Sequence, residues 1–381
     1  MLGLGTSLLA SAVLAGCSTN GASNGTGAPE ALLEEAIPAT ADNVRLIGRT
    51  FEEEGVTWLA QSGSAVEFEV TGSHVQLEVV GDESVGNEPD LRPRFAVLVD
   101  GEVVLDDTLS KRSRIVEVPT DGPLEGAVVE LIHLSEAIRG LIGVRGIFVE
   151  SDDDAPIAPT AGKALGIGFV GDSITCAYGV EAAGNDDPFK TTTENFMKSY
   201  AYLTAQELDA DYDVVCYSGY GIISGWSGDD ERNKDKLIPR LYDLVVEGHE
   251  QTWDYESHQS DVVVVNLGTN DFTYTGYDKA RMGEFSNGYV VFLKRVRDRN
   301  PQSLIICTLG TMSGSELLYP SVEHAVQNYK SLYRDEHVMC YLSDPIDMDA
   351  DGCGTNGHPN EATQRKTAEK LVGIIRDKLD L

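Results

Sequence analysis

Ala65–Val70 and His74–Val79 alternate apolar and polar residues, the period of a strand with one face buried and the other in water. Phe95–Val99 runs into Asp100-Gly101, a hairpin-turn pair, and then into Glu102–Leu105. Ile115–Val118, Ala127–His133 and Gly143–Val149 repeat the pattern. Short strands with turns between them over residues 44–152 predict a β-sandwich of jelly-roll type. After a short acidic and Pro/Ala-containing linker at 151–162 the period changes. Leu165–Val170, Asp213–Tyr217, Asp261–Asn266, Ser303–Cys307 and His337–Leu342 are largely apolar throughout, as strands covered on both faces are. Between them, Ala201, Ala205 and Leu208 share one helical face, as do Phe285, Tyr289, Phe292 and Val296. A last helix after Pro359-Asn360 carries Ala368, Leu371, Val372, Ile375 and Leu379 at three- and four-residue steps. Strands alternating with helices over residues 162–381 predict a three-layer α/β/α domain with a parallel sheet. Ligands of such sheets sit at the carboxyl ends of the strands.

The chain of 381 residues is long enough for these two domains, and 41% hydrophobic residues suffice for two cores. Its 62 acidic against 29 basic residues, a net charge of −33, repel phosphate backbones and exclude nucleic acid as a natural partner. The same balance suits a neutral substrate such as a sugar ester. Residues 2–16 are small and apolar and end in Leu14-Ala15-Gly16-Cys17. This resembles the lipobox of bacterial lipoproteins, which implies lipidation of Cys17 and a lipoprotein exported to the cell surface or periplasm of a bacterium. The apolar run is too short to span a bilayer. Residues 18–43, rich in Gly, Ser, Asn and Thr at their start, read as a flexible linker. Of the other cysteines, Cys216, Cys307 and Cys340 lie in apolar runs and read as core residues, and Cys340 with Cys353 is a conceivable disulfide.

Four loops carry chemistry-bearing residues. Gly168–Thr175 ends a buried strand in Gly171-Asp172-Ser173, which exposes a serine hydroxyl at the rim of the sheet, where a nucleophile with a neighbouring base belongs. Tyr217–Gly221 follows the second strand, and its Gly219 N–H can donate to an oxyanion. Gly268–Asp271 follows the most apolar strand and offers the Asn270 amide as a second donor, although Asn and Asp in such a turn also cap backbone. His358-Pro359-Asn360 precedes the last helix, and no other histidine lies in such a loop near the end of the chain.

The order GDSIT, SGxG, GTND, HPN, each on a loop after a strand, resembles the SGNH hydrolase superfamily over residues 164–379. Gly171–Gly179, Glu194-Asn195 leading into Tyr200-Ala201, and Asn266–Phe272 are similar to the blocks of carbohydrate esterase family 2, as is the preceding β-sandwich. The resemblance implies a serine esterase of the acetyl xylan esterase type, acting on acetylated plant cell-wall polysaccharides or oligosaccharides, with no metal and no organic cofactor. It implies Ser173 as nucleophile, His358 as base, and an oxyanion hole of the Ser173 and Gly219 N–H groups with the Asn270 side chain.

The superfamily's Asp three residues before the His is here Thr355. The imidazole is then oriented by Thr355 or a backbone carbonyl, or by Asp351 if the loop folds back. Asp347–Gly352 has the DxDxDG spacing of a calcium loop, but His358 stands at its twelfth position, and the segment reads as an acidic surface loop. Trp226 is a candidate platform for a sugar ring, with core packing as the alternative; Trp58 and Trp253 read as structural. Two other functions stay open on the sequence: a lipase or thioesterase on the same fold, and a carbohydrate-binding lipoprotein with a dead centre.

Overall fold

The computed structural model describes residues 35–312 and 314–381. The lipobox-like segment with Cys17 lies outside the described residues, as does the linker up to residue 34. The N-terminal part is built of β1 (Arg45–Ile47), β2 (Thr50–Glu53), β3 (Val56–Leu59), β4 (Ala65–Gly72), β5 (His74–Gly81) and β6 (Arg94–Val99). It continues with β7 (Glu102–Thr108), β8 (Ser113–Glu117), β9 (Leu124–His133), β10 (Ile142–Glu150) and β11 (Ile157–Pro159). One antiparallel sheet runs β1-β4-β9-β6-β7 with β11 beside β4; the other runs β2-β3-β10-β5-β8. Strands β3 to β10 thus wind between the sheets as β3-β10-β5-β8 and β4-β9-β6-β7, the strand orders of a jelly roll.

The alternating residues meet between the two sheets. Val66, Phe68 and Val70 of β4, Leu77 and Val79 of β5, Val97 of β6 and Leu131 of β9 form one buried cluster. The opposite face of β4, β6 and β9 is not left to water. Ala65, Ala96, Leu98 and Ile132 belong to a second cluster with Phe196, Tyr200 and Tyr212 of the following domain. Simple alternation misses this, because the covered face is made of small and mixed residues.

The second domain holds β12 (Leu165–Gly171), β13 (Ala210–Cys216), β14 (Val262–Asn266), β15 (Leu304–Leu309) and β16 (Val338–Leu342), all parallel, in the order β13-β12-β14-β15-β16. Its helices are α1 (Ser173–Cys176), α2 (Tyr200–Glu207), α3 (Ile238–Leu241), α4 (Thr269–Thr275), α5 (Lys279–Arg299), α6 (Ser315–Tyr333) and α7 (Glu361–Leu379). Val263 and Val265 of β14 face α5 and α6, whereas Val262 and Val264 face α2 and α7. That split is the three-layer arrangement expected of strands apolar at every position. The order reverses at β12, whose neighbours are β13 and β14, so the crevice for a ligand lies at its carboxyl end.

The linkers differ from their sequence reading. Ile37 exchanges two backbone hydrogen bonds of 2.8 Å with Ile147, and Ala39 and Val44 are buried, so the flexible linker does not extend to residue 43. Its last residues are apolar enough to join the sandwich. Within 151–162, β11 pairs with β4 rather than running free. The five described cysteines are free thiols, which removes the Cys340–Cys353 disulfide, and Cys340 is only half-buried.

Arg49, between β1 and β2, fastens the sandwich to the second domain. It is fully buried and donates to Asp213 at 2.9 Å, to the carbonyls of Tyr242 and Leu244 at 2.8 and 2.6 Å, and to the Tyr255 hydroxyl at 2.7 Å. Burial works against its charge, but Asp213 and the neighbouring phenols hold the guanidinium above its ordinary pKa.

Candidate active site

At the end of β12, Asp172 caps α1 by accepting the Ile174 N–H at 3.1 Å, which makes Ser173 the first helical residue. The helix is fixed from behind: Gln364 of α7 donates to the Ile174 carbonyl at 2.8 Å, and the Thr175 and Tyr200 hydroxyls meet at 2.9 Å. The serine therefore sits on a rigid strand-to-helix corner.

His358 reaches it from the far end of the chain. Thr355–Gly357 make one 3₁₀ turn ending on His358, Pro359 follows, and Asn360 caps α7 by accepting the Thr363 N–H. His358 Nε2 lies 2.8 Å from Ser173 Oγ, and Nδ1 lies 2.9 Å from the Thr355 carbonyl oxygen. A carbonyl only accepts, so Nδ1 carries the proton and Nε2 is left to accept from the serine. Burial lowers the imidazole pKa to about 4, with the Thr355 carbonyl pulling it back up. The ring is therefore neutral at physiological pH.

Of the two side chains proposed to orient the ring, Thr355 does so through its backbone, and Asp351 does not. The Asp351 carboxylate takes two hydrogen bonds from Lys366 of α7, at 2.8 and 2.6 Å, while its carbonyl accepts from Asn360. The 3₁₀ turn brings the Thr355 carbonyl under the imidazole and turns Asp351 toward α7. Gly179 makes room for this turn: a Cβ there lies 2.5 Å from the Thr355 side chain, and its φ is +59°.

The oxyanion side is built from the second and third loops. Tyr217–Tyr220 is a turn closed by the Tyr220 N–H on the Tyr217 carbonyl at 3.2 Å, with Gly219 at φ +84°, the third-position value of a type II turn. Neither the Ser173 nor the Gly219 N–H has a hydrogen-bond acceptor among the described residues. Asn270, the second residue of α4, donates to the Tyr220 carbonyl at 2.8 Å and to Asp172 Oδ2 at 3.2 Å, bridging the first two loops. Asp271 accepts the N–H groups of Ile222, Ile223 and Ser224 at 2.8–2.9 Å and folds the chain beyond the turn. Burial raises Asp172 to about 7 and Asp271 to about 6, the Asp271 shift being opposed by those three N–H groups. Trp226 donates its N–H to the Gly219 carbonyl at 2.7 Å and leaves its side chain 60% exposed beside the turn. It is not a core residue.

Sequence reasoning missed the wall around the base. The Tyr178 ring packs on His358 at 4.5 Å, Phe189 stacks on Tyr178 at 4.1 Å, and the Arg139 guanidinium lies 4.3 Å from the Phe189 ring. Tyr178 stands in the segment Gly171–Gly179, five residues after Ser173. Arg139 belongs to the sandwich, and nothing in its local sequence points to the cleft.

A neutral imidazole hydrogen-bonded to a strand-end serine, beside a glycine turn, belongs to the carboxylic ester hydrolases. Residues 169–366 match the model of the GDSL-like Lipase/Acylhydrolase family, and the chain belongs to that family. It is 31% identical over 316 residues, 81% of its length, to the cellulase/esterase CelE of Acetivibrio thermocellus, and spans 37% of that longer protein. It is 26% identical to an acetylxylan esterase / glucomannan deacetylase of Cellvibrio japonicus, covering 90% of this chain and 91% of the relative. A family two carbohydrate esterase from Clostridium thermocellum, solved with cellohexaose, superposes with a TM-score of 0.78 at 28% identity, covering 88% of this chain and 99% of that one.

Proposed function

We propose that this protein removes O-acetyl groups from plant cell-wall polysaccharides or their oligosaccharides, xylan and glucomannan among them, through an acetyl-serine intermediate. The observation that carries the reading is the 2.8 Å contact between Ser173 Oγ and a His358 whose other nitrogen is tied to a carbonyl. His358 Nε2 takes the serine proton as Oγ adds to the acetyl carbonyl. The negative oxygen is met by the Ser173 and Gly219 N–H groups, and by the Asn270 N–H that leaves Asp172, the longer of its two hydrogen bonds, as the charge forms. His358 returns the proton to the departing sugar oxygen; water, deprotonated by the same nitrogen, then releases acetate. The exposed Trp226 beside the turn supplies an apolar face for a pyranose ring. The names of the relatives support the substrate class. The lipobox-like Leu14–Cys17 supports export and a lipid anchor on Cys17.

The test of the acyl class is a series of aryl esters from acetyl to long-chain acyl. Acetyl esters should be cleaved fastest; a preference for long chains would place the protein with lipases instead.

Two further outcomes are expected. Protonation of Nε2 removes the base, so kcat/KM falls as pH falls. Because burial holds His358 at about 4, the acid limb should bend there and not near the ordinary imidazole value of 6.5. A pH–rate profile of acetyl ester hydrolysis reads this directly. Trp226→Ala should raise KM for acetylated oligosaccharide by about 5- to 30-fold, corresponding to roughly 1–2 kcal/mol of lost apolar contact. For a small aryl acetate KM should stay within about twofold.

A further inference from the structure

The corner of the jelly roll between β9 and β10 enters the second domain at the back of the oxyanion turn. Glu136, completely buried there, accepts the Ser218 N–H on Oε2 at 2.8 Å, and the Cys176 thiol of α1 points to the same oxygen at 3.8 Å. Its Oε1 takes the Arg139 guanidinium at 3.1 Å, and its own N–H is held by Glu194 Oε2 at 3.1 Å. Glu194 is also completely buried, and burial, then the Glu136 charge, push its carboxyl well above the usual range.

Ser218 is the second residue of the turn whose third residue is Gly219. The turn is held on both sides of the Gly219 N–H: Glu136 fixes the peptide before it, and the Trp226 N–H on the Gly219 carbonyl, at 2.7 Å, fixes the peptide after it. Leaving the Ser218 N–H unpaired in a buried site carries its full desolvation penalty, which the turn recovers only by rotating.

We propose that Glu136 is a positioning residue for ester hydrolysis: the β-sandwich uses it to aim the Gly219 N–H at the oxyanion. The same corner reaches the base, since Arg139 backs Phe189 and Tyr178 against His358. The sandwich is then part of the catalytic apparatus. This inference rests on the esterase reading above.

The test compares Glu136→Ala, Glu136→Asp and Glu136→Gln with wild type and Ser173→Ala. The readouts are kcat and KM for an aryl acetate, inhibition by an arylboronic acid that adds to the serine as a tetrahedral anion, and the melting temperature. Glu136→Ala should lower kcat by about 10- to 100-fold, below the loss expected for deleting an oxyanion donor outright, with KM within about twofold. Boronate inhibition should weaken by the same factor. Glu136→Asp keeps the carboxyl group but is too short to reach Ser218, and should resemble Ala. Glu136→Gln keeps an acceptor oxygen and should restore kcat to within about threefold of wild type. Should the Ala variant not fold, the Asp and Gln pair decides alone. Folded variants with unchanged kcat and boronate affinity, a loss confined to KM, or a Gln variant no better than Asp would overturn the assignment. An active Ser173→Ala would instead remove the esterase reading beneath it.

Discussion

Ser173→Ala is expected to lower kcat/KM for an aryl acetate by roughly 10⁴-fold or more, the scale on which deleting a catalytic serine acts. The alanine keeps the helix corner, because the cap comes from Asp172 and the brace from Gln364, neither of which uses the Ser173 hydroxyl. The melting temperature should therefore stay within a few degrees of wild type, and binding of unhydrolysed oligosaccharide should persist. Stopped assays on purified variant and wild type, with thermal melts of both, separate loss of the nucleophile from loss of the fold. A dead-centre binding protein predicts no difference between the two.

The second large effect concerns folding. Arg49→Met should destabilise the protein by about 3–5 kcal/mol, since it leaves Asp213 and three buried oxygen acceptors without the guanidinium that satisfies them. Because Arg49 joins β1–β2 to the strand β13 and to the segment 242–255, sandwich and α/β domain should melt together in wild type and at a lower temperature in the variant. A melt that splits into two transitions in wild type would show that the domains are independent and that this residue does not couple them. The shared clusters, in which Phe51 and Ala60 of the sandwich pack with Tyr217 and Tyr242, argue for one transition.

What the sequence made legible follows from what its pattern encodes. The strands of both domains stand out because period-two alternation marks one-sided burial and continuous apolar runs mark burial on both sides. Ser173, Gly219, Asn270 and His358 are readable because each sits on a short loop directly after a strand or before a helix, where local residue types constrain the backbone. The segment Ser315–Tyr333 is hard to read as a helix because it carries Pro320 inside it, a residue that normally ends one. β2 and β3 are hard to tell apart in the sequence too, being four residues each across a tight Glu54-Gly55 turn with positive φ at both positions. Glu136, Arg139 and Arg49 were invisible for a different reason. Their roles come from contacts 82 residues away in the chain for Glu136 with Ser218, and 164 for Arg49 with Asp213, and no local period carries such information. The Asp351 alternative failed because sequence spacing does not say which way a loop turns, whereas one 3₁₀ turn at Thr355 decides it.

Ser173 with His358 is expected to carry out the deacetylation of carbohydrate. The most direct measurement is acetate released from acetylated glucomannan and acetylated xylan by wild type and by Ser173→Ala under identical conditions. Steady acetate release by wild type, absent from the alanine variant, is the predicted result. Acetate release that survives the substitution, or a wild type that cleaves aryl acetates while leaving both polysaccharides and their oligomers acetylated, would contradict it.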